Sequence, residues 1–245
     1  MRIKRTTVTE IDTNLTSNKL KRVVALAMFA ALAYVVHFVH IPVGFLNLDF
    51  KDVIVTICGM YFGPISGIII AFTVPLLEFA TVSSTGPYGL IMNVLSSVTF
   101  VGTASVIYRF KKTLSGAIVG LLSASFAMTA VMMLANLLVT PYYMGVSIAE
   151  VGALIPTLLL PFNAVKAILN ASLTLCLYKP LTSVLKRTGI TREHKKKSDN
   201  NSQEISKNNT KTHLRTALVY LIGGSIAILS LVVIFAVLDG TIALF

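Results

Sequence analysis

The chain has 245 residues, 55% of them hydrophobic and only 13% charged, with a mean hydropathy of +0.79 and a formal net charge of +11. That composition excludes an ordinary water-soluble domain, which needs far more polar surface to cover a core of this size. Nucleic-acid binding is excluded by the placement of the charge: the basic residues flank apolar runs or fill one hydrophilic linker, the pattern of membrane topology signals.

Apolar runs of about 20 residues recur, and each is long enough to cross roughly 30 Å of hydrocarbon as a helix. They lack the apolar–polar alternation of barrel strands, so the reading is an all-α, polytopic membrane helical bundle. Residues 1–19 read as a cytoplasmic N-terminal tail, too long and polar for the lead of a cleavable signal. The first span covers residues 23–39. Within it, ALAMFAALA places Ala27 and Ala31 four apart with Ala30 beside them, a small-residue face that lets another helix approach closely. A loop follows, IPVGFLNLDFKD, with Pro42, Gly44 and three charges.

The next apolar stretch, residues 53–80, is interrupted at Phe62-Gly63-Pro64, and charge bias decides how to read it. If it splits there, every Lys and Arg except Lys51 and Lys166 falls on the cytoplasmic side. If it does not, Arg109, Lys111, Lys112 and the basic linker all land outside, against the positive-inside rule. Gly63 also suits a helix end and Pro64 a helix start. The split leaves a short second helix that protein must shelter from lipid. Further spans are expected at residues 88–108, 114–139 and 151–178, completing a six-helix membrane domain over residues 20–181. Residues 182–214 form a polar cytoplasmic linker whose later part, residues 192–213, is too poor in apolar groups to fold. An additional C-terminal transmembrane helix is expected within residues 215–245. Cys58 and Cys176 fall inside apolar segments and read as small buried hydrophobes.

Polar groups inside spans are the informative residues, because each costs free energy unless it finds a partner. Asn163, Lys166 and Asn170 stand at i, i+3 and i+7 on one helical face, just after Pro156 and Pro161, where backbone carbonyls are expected to be freed. Asn136 lies near the same outer end of the preceding span, followed by Thr140, Pro141, Tyr142 and Tyr143. Asn93, Glu78, Tyr88 and Phe45 add polar and aromatic groups in the outer half. This convergence points to an outward-facing pocket. Plainer roles stand beside it: Asn residues that only bridge helices, aromatic belt positions, interfacial His37 and His40, and a structural ion pair between Lys166 and Glu78. No ATP-binding loop, zinc cluster or nucleophile–base set is visible, so the chain reads as a binding or translocating subunit without catalytic residues or a metal.

From about Leu20 to Leu181 the chain resembles the substrate-binding S components of energy-coupling-factor (ECF) vitamin transporters, most closely the riboflavin-specific branch. The residues that carry the likeness are the alanine-rich first helix, FLNLDFKDVIVTICGMYFGPISGIIIA, TGPYGLIMN, IYRFKKTLSGAIVG, NLLVTPYYMG and LLPFNAVKAILNASLTLCLYKPL. The resemblance implies that Asn136, Asn163 and Lys166 hydrogen-bond the polar edge of the flavin ring. It implies that Phe45, Leu46 and Asn47 cover the ligand, with Tyr142, Glu78, Tyr88 and Asn93 as further binding candidates. It also implies docking through Ala27, Ala30 and Ala31 onto a membrane coupling subunit that two ATPases complete, with riboflavin as cargo rather than cofactor. Other S-component ligands (a pterin, thiamine or pantothenate) and a stand-alone secondary carrier are the competing readings. The linker and seventh span lie outside the family core.

Overall fold

The computed structural model describes residues 3–43, 45–82, 85–187, 221, 223–229 and 232. Helix α1 runs over Ile3–His37. It has no Gly or Pro to stop it, so much of the stretch expected as a tail is a continuation of the first span. Next come two antiparallel strands, β1 (His40–Val43) and β2 (Leu46–Asp49), with Val43 opposite Leu46 and His40 opposite Asp49. These strands replace the loop expected over this segment. Val43 and Leu46 face each other at the closed end of this pair, an antiparallel arrangement that only a short connection allows.

Helix α2 (Lys51–Phe62) and helix α3 (Pro64–Thr81) divide at Gly63, whose φ of 101° is open to glycine and strained for other residues. The split expected from charge placement is therefore present. So is the shelter it requires: every residue from Lys51 to Met60 is buried, with α2 packed among α1, α3, α4 (Gly86–Phe110) and α7 (Leu160–Arg187). Gly59 and Gly67 make the α2–α3 approach possible, since a Cβ on Gly67 would lie 2.6 Å from the Gly59 Cα.

Helix α5 (Leu114–Met144) extends past its expected end, carrying Pro141 in its last turns and closing at Gly145, φ 69°. The expected sixth span comprises α6 (Ile148–Leu154), a π-helical turn (Ile155–Leu159) and α7. Pro156 sits in the π turn and Pro161 opens α7, so the backbone is irregular where the prolines pointed. Helix α7 continues to Arg187, through the expected start of the linker. The disorder expected for residues 192–213 lies outside the described residues. Of the seventh span, residues 221, 223–229 and 232 are helical. Gly223 packs against α7, where an added Cβ would meet the Cys176 sulfur at 3.0 Å.

Among the described residues, five helical segments are long and apolar enough to cross a membrane; α2, at 12 residues, is too short for that. Large apolar side chains such as Met28, Ile65, Phe126 and Leu138 are exposed on the outer surface, which suits hydrocarbon and not water. The interior is apolar too, built around Ile57, Val74, Phe100, Leu121 and Met128.

Candidate functional site

A cavity of about 800 Å3, including its open mouth, lies at the hairpin end between β2, α4, α5 and α7. Helical phase selects what lines it. Met132, Asn136, Thr140 and Tyr143 recur along one face of α5, Tyr88, Met92 and Ser96 along one face of α4, and Phe162, Asn163 and Lys166 come from the first turns of α7. Phe45, Leu46 and Asn47 reach it from the hairpin, and Tyr88 and Tyr143 meet edge-on, ring centres 6.3 Å apart.

The amides are held by their own helices. Asn163 donates from Nδ2 to the Leu159 carbonyl at 2.8 Å, using an acceptor at the end of the π turn. Asn136 donates to the Met132 carbonyl at 2.7 Å and accepts from Thr140 at 2.9 Å. Each amide end has capacity for a second bond, so both side chains are fixed in orientation and still able to pair with a ligand.

The ionic groups do not form the Lys166–Glu78 pair that stands among the plainer roles. Lys166 Nζ donates to Asp49 Oδ2 at 3.1 Å. Glu78 instead accepts from Lys51 at 2.5 Å and lies 3.3 Å from His37 Nδ1. Asp52 accepts from Ser97 at 2.6 Å. Lys51, Asp49, Asp52, Glu78 and Lys166 are all buried, and charges removed from water persist only when paired in this way. Burial acts to raise the Asp49 carboxyl, but Lys166 and then Lys51 outweigh it and hold the group below the usual carboxylate range. Asp49 closes β2, so the same contact that neutralises Lys166 anchors the hairpin over the cavity.

Of the candidates from sequence, Asn136, Asn163, Lys166, Phe45, Leu46, Asn47, Tyr88 and Asn93 share this cavity. Two do not. Tyr142 is 76% exposed, and its neighbour Tyr143 lines the wall, because α5 runs on through Pro141 and keeps position 143 in phase with Asn136. Glu78 lies behind the cavity in a smaller cleft with His37 and His40. Asn170, one turn beyond Lys166, is fully buried outside the cavity and its amide makes no hydrogen bond. On α1, Ala27 and Ala31 are exposed, whereas Ala30 is partly buried and packs on the core.

A family model described as the substrate-specific component of ECF transporters matches residues 21–178. The chain belongs to that family. It is similar to the riboflavin transporter RibU of Staphylococcus aureus (strain TCH60), 33% identical over 177 residues, 68% of this chain and 93% of that one. The riboflavin transporter FmnP of Bacillus subtilis (strain 168) is 26% identical over 163 residues, 61% of this chain and 86% of its own length. A solved structure titled as the S component of a bacterial ECF transporter superposes with a TM-score of 0.60 at 33% identity, covering 69% of this chain and 99% of that one. This S component is therefore a membrane transport subunit and not an enzyme. The matched region stops short of the helix at residues 223–229, which this chain carries in addition.

Sequence reasoning missed the buried acid–base set, although DFKD in the loop before α2 was its signal: three charges at the mouth of an apolar helix require partners. It also missed Met132 and Phe162, which follow from the helical phase of residues already chosen.

Proposed function

We propose that this S component binds riboflavin at the hairpin end and serves its uptake. A membrane coupling subunit and two ATPases would drive the transport, and the N-terminus would lie in the cytoplasm. The observation that carries the reading is the convergence of Asn136, Asn163 and Lys166 on one cavity whose walls are Phe45, Tyr88, Tyr143 and Phe162. An isoalloxazine ring has a carbonyl and imide edge, which two amides and an ammonium satisfy as donors and acceptors, and a flat apolar body suited to aromatic walls. The names of the two relatives, both riboflavin transporters, support the same ligand.

Charge balance argues for the vitamin over its phosphate ester. Around the cavity, Lys51 and Lys166 face Asp49, Asp52 and Glu78, so no surplus positive charge awaits a phosphate. Lys166 spends one of its three N–H donors on Asp49 and keeps the others for a neutral carbonyl edge. Exposed Ala27 and Ala31 offer α1 as the face for the coupling subunit.

The test is the absorption spectrum of protein purified from cells, followed by quenching of riboflavin fluorescence on titration. A yellow protein with flavin bands and saturable quenching is expected, with flavin mononucleotide binding more weakly. A colourless protein that leaves riboflavin fluorescence unchanged sinks the ligand. A panel of vitamins read by thermal shift would then name another, since only a ligand that prefers the folded state raises the midpoint.

A further inference from the structure

The opposite end of the bundle holds a second cavity, of about 700 Å3 including its mouth, where α1, the α2–α3 corner and the end of α4 meet. Arg22, Arg109 and Lys112 line it, and no Asp or Glu does among the described residues. Arg22 is fixed in place: its Nη2 donates to the Phe62 carbonyl at 3.0 Å and to Ser66 Oγ at 2.8 Å. The first turn of α3 opens at the same rim. There Pro64 has no N–H, and Ile65, with an amide that needs a partner from outside the helix, lines the cavity.

The independent pointer is Ser105. It is 1% exposed, lines the cavity, and its hydroxyl has no hydrogen-bond partner, not even the carbonyl one turn back that serves Ser125 and Thr129. The hydroxyl sits there only because residue 59 is glycine: a Cβ on Gly59 would lie 2.2 Å from Ser105 Oγ. A buried donor left open beside three cations and a helix N-terminus calls for a ligand with several acceptor oxygens and negative charge. The flanks are apolar. Ile65 is 71% exposed and Phe110, next to Arg109, is 85% exposed, so the rim offers an oxyanion site and a hydrocarbon-facing surface side by side.

We propose that this end of the molecule is a phosphate-oxyanion site occupied by the headgroup of an anionic phospholipid, with Arg22, Arg109, Lys112 and the Ser105 hydroxyl as its donors and the acyl chains against Ile65 and Phe110. The site is independent of the riboflavin cavity and of which vitamin that cavity takes.

Full-length protein in neutral detergent micelles doped with phosphatidylglycerol, with phosphatidylcholine, or supplied with inorganic phosphate tests it by thermal midpoint. Phosphatidylglycerol should raise the midpoint by several degrees while phosphatidylcholine does not. The shift should vanish in Arg109→Gln/Lys112→Gln and persist in Lys19→Gln, which removes a nearby exposed cation outside the cavity. Ser105→Ala should shrink the shift without lowering the lipid-free midpoint, because it removes an unpaired hydroxyl; this keeps the test open if the double variant fails to fold. An equal shift from inorganic phosphate would support the oxyanion site and overturn the lipid as its occupant. Equal shifts from both lipids, or a phosphatidylglycerol shift unchanged in the cavity variants, would overturn the site.

Discussion

The two ends of this bundle carry charge in opposite ways. At the hairpin end, acids and bases alternate, all buried, each held by a partner: Asp49 with Lys166, Glu78 with Lys51, Asp52 with Ser97. At the other end, Arg22, Arg109 and Lys112 are exposed and of one sign. Buried charge must be neutralised by geometry, so the first end fixes the shape of a cavity and the position of the hairpin that covers it. Exposed charge has water as its reference, so at the second end the fold rests less on charge pairing, with Arg22 alone tied to the α2–α3 corner. Substitutions at the two ends should therefore differ in kind.

The largest effect is expected from Asp49→Asn. It leaves Lys166 buried without its counter-ion, and removing one member of such a pair costs about 3–5 kcal/mol. The thermal midpoint should fall steeply and riboflavin binding should be lost. Adding Lys166→Gln to Asp49→Asn removes both charges, and the midpoint should recover while binding does not. Failure of the double variant to recover would mean that the pair is not what holds the hairpin. Lys51→Met should likewise destabilise more alone than together with Glu78→Gln, a coupling that a double-mutant cycle reads directly.

A smaller effect is expected inside the cavity. Asn163→Ala should weaken riboflavin by about 1–3 kcal/mol, the cost of an unpaired ligand group, with the midpoint of the empty protein less affected. Unchanged affinity by fluorescence quenching would take Asn163 out of the site. Smaller again is the aromatic wall: Tyr143→Ala should cost about 0.5–1.5 kcal/mol of affinity, and Tyr142→Ala nothing measurable. The reverse order would show that the end of α5 is rotated relative to the structure described above. Smallest of all, Arg109→Gln at the basic end should leave riboflavin affinity unchanged; a weakened affinity would break the separation of the two ends.

The spans, their order and the break at Gly63 were legible in the sequence because they rest on local signals: apolar run length, a Gly-Pro pair and the side on which Lys and Arg fall. Most of the cavity was legible too, since polar residues stranded in apolar helices have few reasons to be there. What was not legible depended on distant packing. Lys166 and Asp49 are 117 residues apart, and nothing local to either names the other over Glu78. The hairpin was obscured by strands of four residues, one containing Pro42. The resemblance names Tyr142, and the phase of α5 beyond Pro141, which decides between Tyr142 and Tyr143, is not visible in an apolar run expected to end at residue 139. Carrying the helix from residue 139 through Tyr143 settles which tyrosine turns inward.

The burial of α2 on all sides has a consequence for how the protein is made. Twelve residues of helix span about 18 Å, little more than half the hydrocarbon thickness, and this segment begins with Lys51 and Asp52. Apolar beyond its first two residues, it is too short to span the hydrocarbon by itself. The charges it carries find their full set of partners only when Ser97 and Lys166, synthesised later, have arrived. The shelter of α2 is thus complete only once α7, the last of its four packing partners to be synthesised, is in place.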